Sequence, residues 1–156
     1  MPTDVCIRHL LTILDQAYNR ASWHGPNLRG SIRGVTPGLA ARRPALRRHN
    51  IWEIVVHAAY WKYVVTRRLT SAPRGSFPLK GSNWFRRDGG TAAEWRDDLA
   101  LLEREHAALR AAVAHLPPRA LDRRAGGKAT LFDLVAGVAA HDIYHAGQIQ
   151  LLKRLV

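Results

Sequence analysis

From Trp95 to Leu116, ring-bearing or apolar side chains recur at Trp95, Leu99, Leu102, His106, Leu109, Val113 and Leu116, a strict alternation of four and three. That spacing is helical and gathers the side chains into one narrow seam, which only other helices can cover. Thr91-Ala92-Ala93-Glu94 opens the segment with a capping-box pattern, and Pro117-Pro118 ends it. Three more segments read as helices. The first runs from about Thr3 to Asn19, with Ile7, Leu10, Leu11, Leu14, Ala17 and Tyr18 at helical spacing. The second starts at Asn50, where Asn50 and Glu53 form an Asn-x-x-Glu start signal. It continues to about Thr70 and is closed by Pro73 and Gly75. The last starts near Thr130-Leu131-Phe132-Asp133 and continues to the C-terminus. Strand signals are nearly absent. The expectation is an all-α chain, a four-helix bundle in one domain over residues 1–156. Its two long connections, roughly 21–49 and 71–90, leave room for crossovers. The first is expected to hold a short helical turn around Gly38–Arg43.

The chain has 156 residues and a single cysteine, Cys6, so no internal disulfide forms, as in a reducing cytosol. Met1 to Asp15 has no unbroken apolar core, which argues against a signal peptide. No apolar run approaches the roughly 18–20 residues of a membrane span. A cytoplasmic protein with no membrane partner is therefore expected. The formal charge is +12, and no acid lies between Asp15 and Glu53 while Arg20, Arg29, Arg33, Arg42, Arg43, Arg47 and Arg48 do. Such a segment can attract phosphates or carboxylates, but charge alone names no partner. No nucleic-acid motif accompanies it, so a nucleic-acid partner is not expected.

His141 and His145 are four apart, which places them one above the other on a helix. On a wheel they share the arc of Leu134, Val138, Ile149 and Leu152, facing the core. His57 lies within the apolar arc of the second helix, with Ile54, Ala58, Trp61, Val64, Val65 and Leu69. Inward side chains on facing helices are how bundles build metal sites. On residue chemistry alone the three are either metal ligands or buried imidazoles satisfied by polar neighbours. As ligands they leave a coordination position open, the pattern of catalytic rather than structural zinc. All-nitrogen ligation also suits nickel, copper or iron. A metal there could acidify a water or hold a thiolate.

Other residues are weaker candidates. Glu53, one turn before His57, is a cap, an acceptor behind a ligand, or a base. Asp142 accepts from a ligand imidazole or is solvated; Gln148 could reach a metal-bound water. His106 reads as a core histidine bonded to a polar neighbour, and His9, His24, His49 and His115 as surface residues. Trp52, Tyr60, Trp61 and Tyr144 read as core or interface aromatics. Trp84 and Phe85 read as exposed aromatics fit for an interface.

Two segments, His49-Asn50-Ile51-Trp52-Glu53-Ile54-Val55-Val56-His57-Ala58-Ala59-Tyr60-Trp61 and Gly137-Val138-Ala139-Ala140-His141-Asp142-Ile143-Tyr144-His145-Ala146-Gly147-Gln148-Ile149, resemble the DinB/YfiT-like superfamily. Gly81-Ser82-Asn83-Trp84-Phe85 and the closing Gln150–Leu155 stretch are similar too. The resemblance implies a four-helix bundle with a long crossover, and homodimers. It implies a divalent metal, zinc or nickel first and iron or manganese after them, on one histidine of the second helix and two of the fourth, matching His57, His141 and His145. It also implies a small-molecule chemistry: thiol-cofactor-dependent transfer or isomerisation with bacillithiol, mycothiol or glutathione, or metal-dependent hydrolysis. A non-catalytic protein in which metal only stabilises the bundle is the competing expectation, with a basic nucleic-acid binder behind it.

Overall fold

The computed structural model describes residues 4–156, and the expected first-helix start at Thr3 lies outside them. Six α-helices occur among these residues: α1 (Val5–Tyr18), α2 (Leu28–Ile32), α3 (Pro37–Ala41), α4 (Ile51–Thr70), α5 (Ala92–Ala114) and α6 (Leu131–Leu155), with no β-strand. No helix among the described residues is long and apolar enough to cross a membrane.

The helix starts follow the local chemistry. Asp4 caps α1 by accepting from the Cys6 amide at 2.8 Å. Thr91 and Glu94 close the expected capping box of α5, and Thr130 and Asp133 do the same for α6. The start of α4 keeps half of that device: the Asn50 side chain accepts from the Glu53 amide at 2.9 Å, while the Glu53 carboxylate turns elsewhere. The end of α4 falls at Thr70 as expected, with a different stop. Ser71, at φ 57°, closes it in the left-handed conformation, ahead of Pro73 and Gly75. The first connection holds two short helices where one was expected, because Asn27 and Thr36 each cap a turn.

Side-chain pairings set the helix directions. Trp52 and Trp95 pack edge to face at 5.1 Å and the Trp52 indole donates to Asp98 at 2.6 Å, which joins the N-terminal ends of α4 and α5. These two helices run parallel. His57 faces His145 and Lys62 pairs with Asp142, so α6 is antiparallel to α4. Tyr18 stacks on His106 and Asp15 accepts from Arg110 at 2.8 and 3.1 Å, so α1 is antiparallel to α5. The long helices thus run up, down, down, up. A parallel pair in succession obliges the chain to return along the bundle, and residues 71–91 make that return. They cross the face of α4 that carries His57.

Two apolar clusters fill the interior. One gathers Leu28, Ile51, Trp52, Val55, Trp95, Leu102 and Ile149; the other gathers Leu10, Leu14, Val65, Leu109, Val113, Leu131 and Val135. Between them lies a polar layer to which each long helix contributes one side chain: Tyr18, Lys62, His106 and Asp142. Lys62 and Asp142 are wholly buried and hydrogen-bonded to each other. The Lys62 ammonium stands 5.0 Å from the Tyr18 ring centroid, and the Tyr18 ring stacks on His106 at 3.6 Å. His106 was expected to bond a polar neighbour; its Nδ1 has no hydrogen-bond partner among the described residues, and stacking holds it instead.

Candidate metal centre

The α6 wheel is rotated relative to the sequence reading. Its buried face is Leu131, Val135, Val138, Asp142, His145, Ile149 and Leu152, with His141 half-buried at the edge. The rotation has one cause: Lys62 comes from α4 to meet Asp142, so a carboxylate takes a core position that residue type alone assigns to solvent.

His57, His141 and His145 nevertheless converge. His57 Nε2 lies 3.0 Å from His141 Nε2, and His145 Nε2 lies 3.0 Å from the same atom. The outer nitrogens fix the tautomers. His57 Nδ1 is 2.8 Å from the Asn83 carbonyl oxygen, which can only accept, so that nitrogen carries the proton. His145 Nδ1 is 2.7 Å from Gln148 Oε1, and Gln148 in turn donates to the Tyr144 hydroxyl at 3.0 Å. Both Nε2 atoms therefore aim lone pairs at His141 Nε2. That atom can donate one proton at most, so the three imidazoles cannot satisfy one another by hydrogen bonding. A cation at their meeting point satisfies all three. Around tetrahedral zinc, with bonds of about 2.0–2.1 Å, neighbouring nitrogens stand roughly 3.3 Å apart, close to the spacing present. The cluster is compatible with a metal site.

Electrostatics agree. Burial pushes His141 down to about 3 and His145 down to about 4, each lowered further by neighbouring imidazoles, and burial lowers His57 as well. All three are neutral at pH 7, with lone pairs free for a metal.

The loop 81–85 completes the surroundings. Asn83, in the left-handed region at φ 65°, turns its carbonyl to His57 and accepts from the Trp61 indole at 3.0 Å through Oδ1. One residue thereby fixes both a candidate ligand and the aromatic next to it. Trp84 lies flat on His57 at 3.8 Å and His49 lies flat on Trp84 at 3.6 Å, a three-ring stack. Glu53 holds the far ring, its Oε2 2.8 Å from His49 Nδ1.

The candidate residues thus separate. The three histidines are brought together. Gln148 stands behind His145 as a hydrogen-bond partner, on the side away from the convergence point. Glu53 is buried and accepts from Arg43 at 2.5 and 3.0 Å and from the Arg87 amide at 3.2 Å, which holds its carboxyl below the ordinary range against the cost of burial. It is a clamp on two loops rather than a cap. Asp142 reaches no imidazole and no solvent. Trp84 and Phe85 are inside, half-buried and buried, and so form no exposed interface. His49 does more than a surface residue. Asn83, Trp84 and His49 belong to the surroundings of the cluster, although neither residue type nor spacing marks them; an asparagine just after a glycine turn is the available signal.

His106 gives a measurable pH dependence apart from the cluster. Burial, with Lys62 and Arg110 nearby and Asp15 opposing, pushes it down from 6.5 to about 3. The unfolded chain takes up this proton near 6.5 and the folded chain only near 3. The stability is complete above about 6.5 and is lost as pH falls toward 3. Thermal melts of metal-free protein at pH 7 and pH 4.5 should show a smaller acid loss for His106→Phe than for the wild type.

The family model described as DinB superfamily matches residues 20–149, from just after α1 to near the end of α6, including all three histidines and the 81–85 loop. Comparisons with curated proteins and with solved structures each give no significant match.

Proposed function

The chain belongs to the DinB superfamily, and from that premise we propose that it is a metal-dependent enzyme whose His57, His141 and His145 hold one divalent ion, zinc or nickel, and whose substrate is a small molecule activated as a thiol. The observation that carries the reading is the pair of Nε2 lone pairs aimed at a third Nε2. A divalent ion there would lower the pKa of a thiol or a water reaching its open side.

Thiol transfer is favoured over hydrolysis by what surrounds the cluster. Hydrolysis by a metal-bound water gains from a general base or acid within hydrogen-bond reach, because the water is acidified only to about neutrality and the leaving group needs a proton. The two buried carboxylates on the helices that carry the histidines, Glu53 and Asp142, are committed to Arg43 and Lys62. A thiol starts far more acidic than water and would be deprotonated outright on a divalent ion, with no base needed. Beside His49 and Trp84 lies a cleft of about 450 Å³ lined by Arg43, Arg47, Arg48 and Arg86. Arg43 and Arg86 are paired with acids, whereas Arg47 and Arg48 form no ion pair among the described residues. That suits the carboxylate of a thiol cofactor.

Zinc- or nickel-loaded protein should be stabilised against heat by glutathione or another carboxylate-bearing thiol, and clearly less by the S-methyl derivative. Arg47→Ser with Arg48→Ser should weaken the effect by about 10-fold, in line with loss of a charge-assisted contact. If no such thiol stabilises the loaded protein, thiol activation is wrong.

A further inference from the structure

The half-buried member of the cluster, His141, opens onto a second feature. Between α4 and α6 runs a cleft of about 170 Å³ whose α4 wall is Trp61, Val64, Val65 and Arg68 and whose α6 wall includes Gly137, Val138 and His141. Three observations give it a ligand chemistry. The walls are apolar between the two ends. One end is His141 beside the Trp61 ring, whose centroids are 6.4 Å apart. The other end is Arg68, half-buried, with no ion pair or hydrogen bond among the described residues. The acid at that mouth, Asp133, turns to its own helix start, its Oδ2 accepting from the Thr130 amide and hydroxyl at 2.8 Å each, and it forms no ion pair with Arg68. A guanidinium left without a partner beside an apolar slot asks for an anion attached to an apolar body. The seven steps from Trp61 to Arg68 rise about 10 Å along the helix.

We infer that this cleft is the binding site for an apolar carboxylate-bearing substrate about 10 Å long, with Arg68 holding the carboxylate and the reacting end lying at His141. The inference rests on the metal reading only for what happens at the His141 end; recognition by Arg68 and the cleft stands apart from it. Gly137 provides the space. It is helical, and a Cβ built there meets no atom within 4 Å, so a larger side chain narrows the slot without displacing the backbone.

Octanoate is a suitable probe, read by heat of binding to the protein as purified and again after removal of metal by a chelator. It should bind both forms, and octanol, without the charge, should bind at least about 10-fold more weakly, as expected for loss of a charge-assisted contact. Arg68→Gln should weaken octanoate about 10–100-fold and leave octanol unchanged. Gly137→Leu should abolish binding of both while the melting temperature does not fall below, and the metal content stays at, wild-type values. Equal binding of octanoate and octanol, indifference to Arg68→Gln, or full binding by Gly137→Leu overturns the assignment. Indifference to Arg68→Gln would also be the mark of a carboxylate seated on metal at the other end. If the metal reading fails, the metal-free arm still decides this one.

Discussion

Lys62→Met should destabilise the protein by about 3–5 kcal/mol, because it leaves Asp142 charged, wholly buried and without its cation. At roughly 2–4 °C per kcal/mol for a chain of this size, the melting temperature should fall by about 6–20 °C. The loss should depend on pH in a definite direction. Burial already raises the Asp142 carboxyl above its ordinary value of 3.8, with Lys62 opposing. Without Lys62 the folded-state value rises further, and the folded chain binds the proton more tightly than the unfolded one. Stability is then retained in acid and lost as pH rises above 3.8 toward the folded value. The variant should therefore look least damaged near pH 5 and most damaged near pH 8. Lys62→Met with Asp142→Leu removes both charges and should recover most of the loss or exceed the wild type, since apolar replacements of buried pairs are often neutral or stabilising by about 1–4 kcal/mol. The metal content of this double variant should match the wild type, because neither side chain touches the three imidazoles. Failure of the double variant to recover would mean that the polar layer specifies the register of the bundle rather than merely being tolerated in it.

The second large effect is metal-linked stability. A ligand that binds only the folded chain adds about 2.7 kcal/mol at a hundredfold excess over its dissociation constant and about 4.1 kcal/mol at a thousandfold. Zinc or nickel should raise the melting temperature of metal-free protein by about 5–16 °C over that range. The gain should vanish in His57→Ala and His145→Ala. Trp61→Phe removes the bond that Asn83 accepts but leaves the Asn83 carbonyl on His57, so it should keep about half of the gain or more, with affinity lowered by about 10-fold at most, the low end of the range found for residues behind ligands. Calorimetry of the variants side by side checks the ordering. A wild-type protein whose melting temperature ignores zinc and nickel would contradict it.

The sequence made the helices legible and their arrangement only partly so. The α5 seam from Trp95 to Leu116 and the Thr91/Glu94 and Thr130/Asp133 boxes are local signals, and local signals survive folding. The 71–91 segment carries no periodicity that would reveal its path; its length follows from α4 and α5 being parallel, a tertiary fact. His57, His141 and His145 were legible because residue type and helical spacing coincide. The face of α6 was misjudged by a fraction of a turn because Asp142 counts as polar until Lys62 is found opposite it. Asn83 acts through a main-chain carbonyl, Trp84 through its ring face, and Glu53 through two arginines from separate loops, none of which leaves a pattern along the chain. Glu53 and Asp142, which the sequence leaves between a supporting and a chemical role, are held by Arg43 and Lys62 in the structure.

The proposed metal centre is one divalent ion where the three Nε2 atoms meet. The measurement that tests it most directly is elemental analysis of the protein purified without a histidine tag, alongside His57→Ala, His141→Ala and His145→Ala. Close to one zinc or nickel per wild-type chain and near none in each variant is expected, with all variants folded by circular dichroism. A metal-free wild type that takes up no zinc or nickel on dialysis, or variants that retain the full metal content, would contradict it.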